Sequence, residues 1–245
     1  MARARLVCFA YAGAGASMYH PWAALVPDTV EVCAVQPPGR EWRAGEEPPT
    51  ALARWIDAVA TELLAESPLP VALFGHSLGA LVAHEVACAV AEAGRPPGLL
   101  VVSGRYPPWL GPAEPPLASL DDEAFVHEVR RRFGALPDVV LAHPELLDHV
   151  LPLLRHDIAL LEAHPFAAEL PRTRLACPML AVGGSDDPLS AAAAMREWRH
   201  ATRGAFATHE LPGTHFFVHT RRDTLLAVLA PSLRALAQGP LGPLA

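Results

Sequence analysis

The chain has 245 residues, 51% of them hydrophobic and 18% charged, which suffices for one sizeable core in one α/β domain. A formal net charge of -7 argues against the basic face that nucleic-acid binding needs, and no run approaches the roughly 20 uninterrupted apolar residues of a membrane span. Cys8, Cys33, Cys88 and Cys177 lie far apart among apolar neighbours and the 12 histidines are scattered, so free thiols are expected, with no metal and no cofactor.

Met1–Leu6 runs into a strand pattern without the apolar stretch of a signal peptide, which predicts a cytoplasmic protein. Leu6–Ala10 reads as a buried strand. Tyr11-Ala12-Gly13-Ala14-Gly15-Ala16-Ser17 follows as a loop of small residues, whose backbone N–H groups can approach a substrate closely. A helix is predicted from Ser17, as N-cap, to about Val26, with Trp22 and Leu25 facing inward. Val30–Val35 is a second strand, stopped by Gln36-Pro37-Pro38-Gly39-Arg40. Loop continues to Pro49, and Thr50 caps a helix running to about Ala65.

Val71–Phe74 is then a short apolar strand, and Leu81–Ala93 is rich in Ala, Leu and Val, as a buried helix would be. Between them stands Gly75-His76-Ser77-Leu78-Gly79. This G-x-S-x-G pattern between strand and helix forces a turn so tight that no side chain fits at the glycines, and it lifts the Ser77 hydroxyl clear of the sheet. The N–H of Leu78 falls at the helix start, where unpaired donors favour a developing negative charge. Gly98–Gly104 is another apolar strand. Such strands alternating with helices predict a mostly parallel sheet covered on both faces.

From Arg105 to about Arg174 the rhythm changes. Prolines give an irregular lead-in, then helices are predicted near Asp121–Phe133 and from about Pro144 to Ala163, with no buried strand. Residues from about 107 to 174 therefore read as a helical lid inserted into the single domain. Strand pattern resumes at Pro178–Gly184, followed by Ser185-Asp186-Asp187-Pro188. A carboxylate just past a strand end is where a hydrolase places the acid that orients its histidine; Asp187 is preferred, with Asp186 as the alternative. A helix is expected from about Ser190 to Ala201, a strand near Ala205–Leu211, and a closing helix near Asp223–Ala237. His215, on the loop after the last strand, completes the order Ser, Asp, His; His219 is its nearest rival. Ser77, Asp187 and His215 are thus the candidate catalytic residues, and the backbone N–H groups of Leu78 and Ala12 the candidate oxyanion hole.

With these residues in view, the chain resembles the type II thioesterases of the α/β-hydrolase superfamily, stand-alone enzymes that accompany modular polyketide synthases and nonribosomal peptide synthetases. The likeness rests on Leu6–Ser17, on Val35–Arg40 (like V-Q-x-P-G-R), on Phe74–Ala80, on Val102–Arg105 (V-S-G-R), on Leu154–Glu162, on Gly183–Pro188 and on Gly213–Phe217 (G-x-H-F-F). In the loop, Ala10 and Ala14 stand where the family has proline and its second glycine. The resemblance implies hydrolysis of acyl thioesters carried on the phosphopantetheine arm of an acyl or peptidyl carrier protein, with removal of stalled or aberrant acyl groups; separately, a monomer is expected. Carrier proteins being acidic, Arg130–Arg132 or Arg105 are candidate docking residues. The triad residues alone equally suit an oxygen-ester hydrolase, such as a carboxylesterase or lipase, and the fold alone suits a non-catalytic binding protein.

Overall fold

Among the described residues six strands pair into one sheet: β1 (Ala4–Phe9), β2 (Val30–Ala34), β3 (Val71–His76), β4 (Leu99–Ser103), β5 (Met179–Gly184) and β6 (Phe206–Leu211). Their order is β2-β1-β3-β4-β5-β6, and every neighbouring pair is parallel. The structure is a computed structural model that describes residues 1–66, 69–112, 114–136, 138–165, 170 and 173–239.

Alternation along the strands divides the core in two. Val7, Phe9, Leu73, Leu100, Val102, Met179 and Ala181 face the helices α1 (Leu52–Ala65), α2 (Leu78–Glu92) and α6 (Ala192–Glu197), where Trp55, Ile56, Val86 and Met195 are buried. Leu6, Cys8, Ala72, Phe74, Val101 and Val182 face the other way, toward Tyr19 and Trp22 and toward α8 (Arg222–Gln238) with its Leu225, Leu229 and Leu233. A strand flanked by helices on both faces has no polar side, which is why Leu99–Val102 is unbroken apolar sequence.

The chain between β4 and β5 forms α3 (Asp122–Phe133), α4 (Asp138–Leu141) and α5 (Pro144–Ala163). Asp121 caps α3 by accepting from the Ala124 N–H at 2.9 Å. These helices own a small core of Leu117, Phe125, Val129, Leu136, Leu151, Leu154 and Ile158, against which Ala12 packs. Positions 113, 137, 166–169, 171 and 172 of the predicted insertion lie outside the described residues.

Four local expectations are corrected. The first predicted helix is a 3₁₀ segment, Ala16–Ala24, with Gly15 rather than Ser17 at its N-cap. Pro21 inside it removes a donor that an α-helix would use. Trp22 is buried, but Leu25 falls past the helix end and turns outward, 42% exposed. The second helix is capped by Ala51, not Thr50, with no side-chain bond. The helix expected over Ser190–Ala201 is divided into 3₁₀ turns at Pro188–Ser190 and Trp198–Ala201 on either side of α6. The short α7 (Phe217–Thr220), which no periodicity signalled, precedes α8.

Candidate active site

The strand β3 runs straight into α2, and the whole reversal falls on Ser77, whose φ of 55° and ψ of -117° put a residue with a Cβ in a sparsely populated region. What holds it there is visible on both sides. The Ser77 N–H donates to Ser103 O at 2.8 Å, tying the turn to β4. A Cβ at Gly75 would stand 1.8 Å from Gly79 O, and one at Gly79 would stand 2.1 Å from Phe9 O. Leu78 is the first residue of α2, so its N–H is among those left without an intrahelical acceptor.

Asp187 and His215 come together from the ends of β5 and β6. His215 Nδ1 lies 3.0 Å from Asp187 Oδ2, and both side chains are buried. A carboxylate only accepts, so Nδ1 carries the proton and Nε2 is left as the basic nitrogen. Asp187 is itself fixed: Ser190 Oγ donates to Oδ2 at 2.7 Å and Leu189 N–H to Oδ1 at 3.1 Å. Asp186, the alternative acid, is exposed, and its carboxylate accepts from the Ser185 hydroxyl at 3.2 Å. His219, the alternative base, bonds Tyr11 Oη at 3.0 Å instead.

Ser77, His215 and Ala12 line one cavity of about 350 Å³, with Tyr11, Leu154, Ile158, Leu161, Leu189 and Phe216. Its outer wall belongs to the helical insertion, from which Phe133 sits 5.8 Å from the His215 ring. The charged side chains at its margin are largely engaged with the protein itself. Arg131 and Arg132 pair with Glu114 and Glu128, and Glu162 accepts from the N–H groups of Leu117 and Ala118. Arg130 pairs with Asp138 at 2.7 Å. The Arg130–Arg132 run is thus paired with acids in this structure, while Arg130 and Arg131 stay exposed to solvent. Arg105, the other docking candidate, is 3% exposed, lies over the Tyr106 ring and cannot meet a protein surface. Among the described residues no group of three or more His, Cys, Asp or Glu is arranged to hold a metal ion, and no helix is long and apolar enough to cross a membrane.

Two supports escaped the sequence reading. His76, inside the elbow, donates from Nε2 to His215 O at 2.9 Å and accepts from Ser103 Oγ at Nδ1, 3.0 Å away. It therefore links the serine turn to the histidine loop. Gly104, with φ of 65°, makes room: a Cβ there would stand 2.3 Å from His76 Cε1. Burial, with the nearby His215, holds the His76 pKa well below its ordinary value, so the ring is neutral. In the unfolded chain it protonates below about pH 6.5, and folding stability then falls with pH by up to about 1.4 kcal/mol per unit from this group. Urea titrations between pH 7.5 and 5 are expected to show a shallower loss in His76→Gln than in the natural chain; equal slopes would contradict this. The second support is a buried pair, Arg40 and Asp157, against the Ala12 loop.

A family model described as a thioesterase domain matches residues 4–233. The chain is 34% identical over 234 residues to the gramicidin S biosynthesis protein GrsT of Aneurinibacillus migulanus, covering 95% of this chain and 90% of that one. It superposes with a TM-score of 0.85 and 38% identity on RedJ, a thioesterase of the prodiginine pathway in Streptomyces coelicolor, over 94% of this chain and 86% of the other. YbtT, a type II thioesterase from the yersiniabactin NRPS/PKS pathway, superposes with a TM-score of 0.84 and 27% identity, covering 96% of this chain and 94% of the other.

Proposed function

This chain belongs to the thioesterase domain family, and from that premise we propose that Ser77, His215 and Asp187 perform its hydrolysis of acyl thioesters. The protein is a hydrolase of the type II kind, serving polyketide and nonribosomal peptide biosynthesis. Its substrate is an acyl group on the phosphopantetheine arm of an acyl or peptidyl carrier protein, and the reaction frees an arm blocked by an aberrant or stalled group. The observation that carries the site assignment is the buried Asp187–His215 pair, whose histidine lines the same cavity as the strained Ser77.

The steps follow from the atoms. Ser77 Oγ attacks the thioester carbonyl carbon while His215 Nε2 takes its proton. The carbonyl oxygen becomes an oxyanion held by the N–H groups of Leu78 and Ala12, and Asp187 stabilises the imidazolium through Nδ1. Collapse breaks the C–S bond, and the proton on Nε2 goes to the departing thiol. Water, deprotonated by the same nitrogen, then attacks the acyl-serine; collapse returns the proton to Ser77 and releases the acid. The segment from about 107 to 174 is the lid of this site, and its apolar wall receives the acyl chain.

The test presents one short acyl group on a carrier protein, on a small thiol and as an oxygen ester. Faster release from the carrier, abolished in Ser77→Ala, is expected. A preference for the oxygen ester would replace this reading by a carboxylesterase, and silence on all three by a binding protein.

A further inference from the structure

The steps above leave unused a buried arginine–carboxylate pair, Arg40 with Asp157. Arg40, at the end of the Val35–Arg40 loop, is 3% exposed, and Asp157, midway along α5, is 4% exposed. The pair is bidentate: Nη1 donates to Oδ2 at 2.6 Å and Nη2 to Oδ1 at 2.7 Å. Each member also holds one peptide group of the small-residue loop. Asp157 Oδ2 accepts the Gly13 N–H at 2.7 Å, and Arg40 Nη1 donates to Ala14 O at 3.0 Å. Gln36 completes the frame, accepting from Ala16 N–H at 2.9 Å and donating to Arg40 O at 3.0 Å. The helix also touches the loop directly, since a Cβ at Gly13 (φ 82°) would stand 3.3 Å from the Leu154 Cβ.

A buried ion pair is a poor device for stability. Removing two charges from water offsets most of their attraction, and apolar replacements of similar volume are often neutral or stabilising. What apolar side chains cannot do is orient peptide planes. Here Gly13 N–H fixes the Ala12–Gly13 plane, Ala14 O is fixed from the other side, and Ala14 N–H closes a turn onto Tyr11 O at 3.1 Å. Between these anchors the Tyr11–Ala12 peptide has little freedom, and its N–H is the one assigned to the oxyanion.

We propose that Arg40 and Asp157 are positioning residues of thioester hydrolysis: they aim the Ala12 N–H, and because Asp157 belongs to the lid helix, the oxyanion hole is complete only while α5 is seated on the loop. This rests on the reading of Ser77 and Ala12 given above. Lid position and catalytic competence are then one equilibrium, with the Gly13–Asp157 bond as the link. A lid that lifts to admit a substrate leaves the hole imperfect, and one that closes over the acyl chain restores it.

The test uses the full chain, a small acyl thioester, and a trifluoromethyl ketone that forms a tetrahedral adduct with serine. The double variant Arg40→Met/Asp157→Leu removes the pair without stranding a charge, and it is expected to melt no lower than the natural protein. Its kcat is expected to fall about 10- to 100-fold, less than the 10²–10³ typical for deleting an oxyanion donor outright. KM should hold, and ketone affinity should fall by the same factor as kcat/KM. Asp157→Asn keeps an acceptor for Gly13 but turns an N–H₂ toward Arg40, so an intermediate loss is expected. A folded double variant with natural kcat, or a kcat loss with undiminished ketone affinity, overturns the proposal. If the double variant does not fold, Asp157→Asn decides alone, natural kcat and ketone affinity overturning it. Activity that survives Ser77→Ala would remove the underlying reading separately, whatever Arg40 and Asp157 do.

Discussion

Ser77→Ala is expected to lower kcat for any acyl thioester by about 10⁴- to 10⁶-fold while the protein stays folded. The fold is spared because the elbow does not depend on the hydroxyl. Its conformation is held by the Ser77 N–H bond to Ser103 O and by the contact of Gly75 with Gly79, and alanine has the same Cβ as serine at φ 55°. Activity is not spared, because His215 Nε2 is then a base with no nucleophile to deprotonate. The diagnostic is non-additivity. His215→Ala should cost a similar factor, and Ser77→Ala/His215→Ala no more than either alone, because the two act as one unit. Rates for all three, with melting temperatures, are the measurement. Multiplying effects, or a single variant retaining more than about one hundredth of the rate, would mean that a different group attacks the carbonyl.

How much of this was legible without coordinates depended on whether a constraint is local. The strands were readable because a parallel strand covered on both faces admits only apolar residues, as at Leu99–Val102 and Leu180–Val182. Ser77 was readable because its turn dictates its own neighbours: two glycines two residues either side are a purely local steric demand. Asp187 and His215 were put forward by chain order, and a choice between Asp186 and Asp187 could only be ranked. Geometry separates them, since successive residues after β5 point apart and one alone reaches His215.

Asp157 shows the limit. It lies 117 residues from Arg40 and 144 from Gly13, and within Leu154–Glu162 it stands beside Arg155 and His156, so it reads as solvated helix surface. Nothing local marks a carboxylate whose partners are supplied by two distant loops. Arg105 failed in the same way. Ser103-Gly104-Arg105 resembles an exposed loop, yet Gly104 is there to clear the His76 ring, and the chain folds back under Trp198, whose Nε1 donates to Arg105 O at 2.8 Å. Leu25 failed for a different reason: Pro21 converts the segment to a 3₁₀ turn that ends at Ala24, so a 3.6-residue period overreached by one position.

Gly75→Ala is the second substitution expected to have a large effect, and here stability and activity fall together. The added Cβ would lie 1.8 Å from Gly79 O, 2.2 Å from Gly79 C and 2.6 Å from Ala80 N, all backbone atoms of the first turn of α2. None can swing aside as a side chain would, so either α2 withdraws from β3 or the turn opens. Withdrawal unpacks Leu81 and Ala83 from the sheet, and opening releases Ser77 from φ 55°. The cost belongs to the rare class above about 4 kcal/mol, since it combines overpacking with backbone displacement. Gly45→Ala is the matched control. No atom stands within 4 Å of its added Cβ and its φ is not positive, so the change should be neutral or stabilising by about 0.4–1 kcal/mol through the unfolded chain. Thermal melts and kcat on a small thioester for both variants make the comparison. A Gly75→Ala protein that melts and turns over like Gly45→Ala would mean that the elbow tolerates a Cβ, and that the two glycines are not what lifts Ser77 from the sheet.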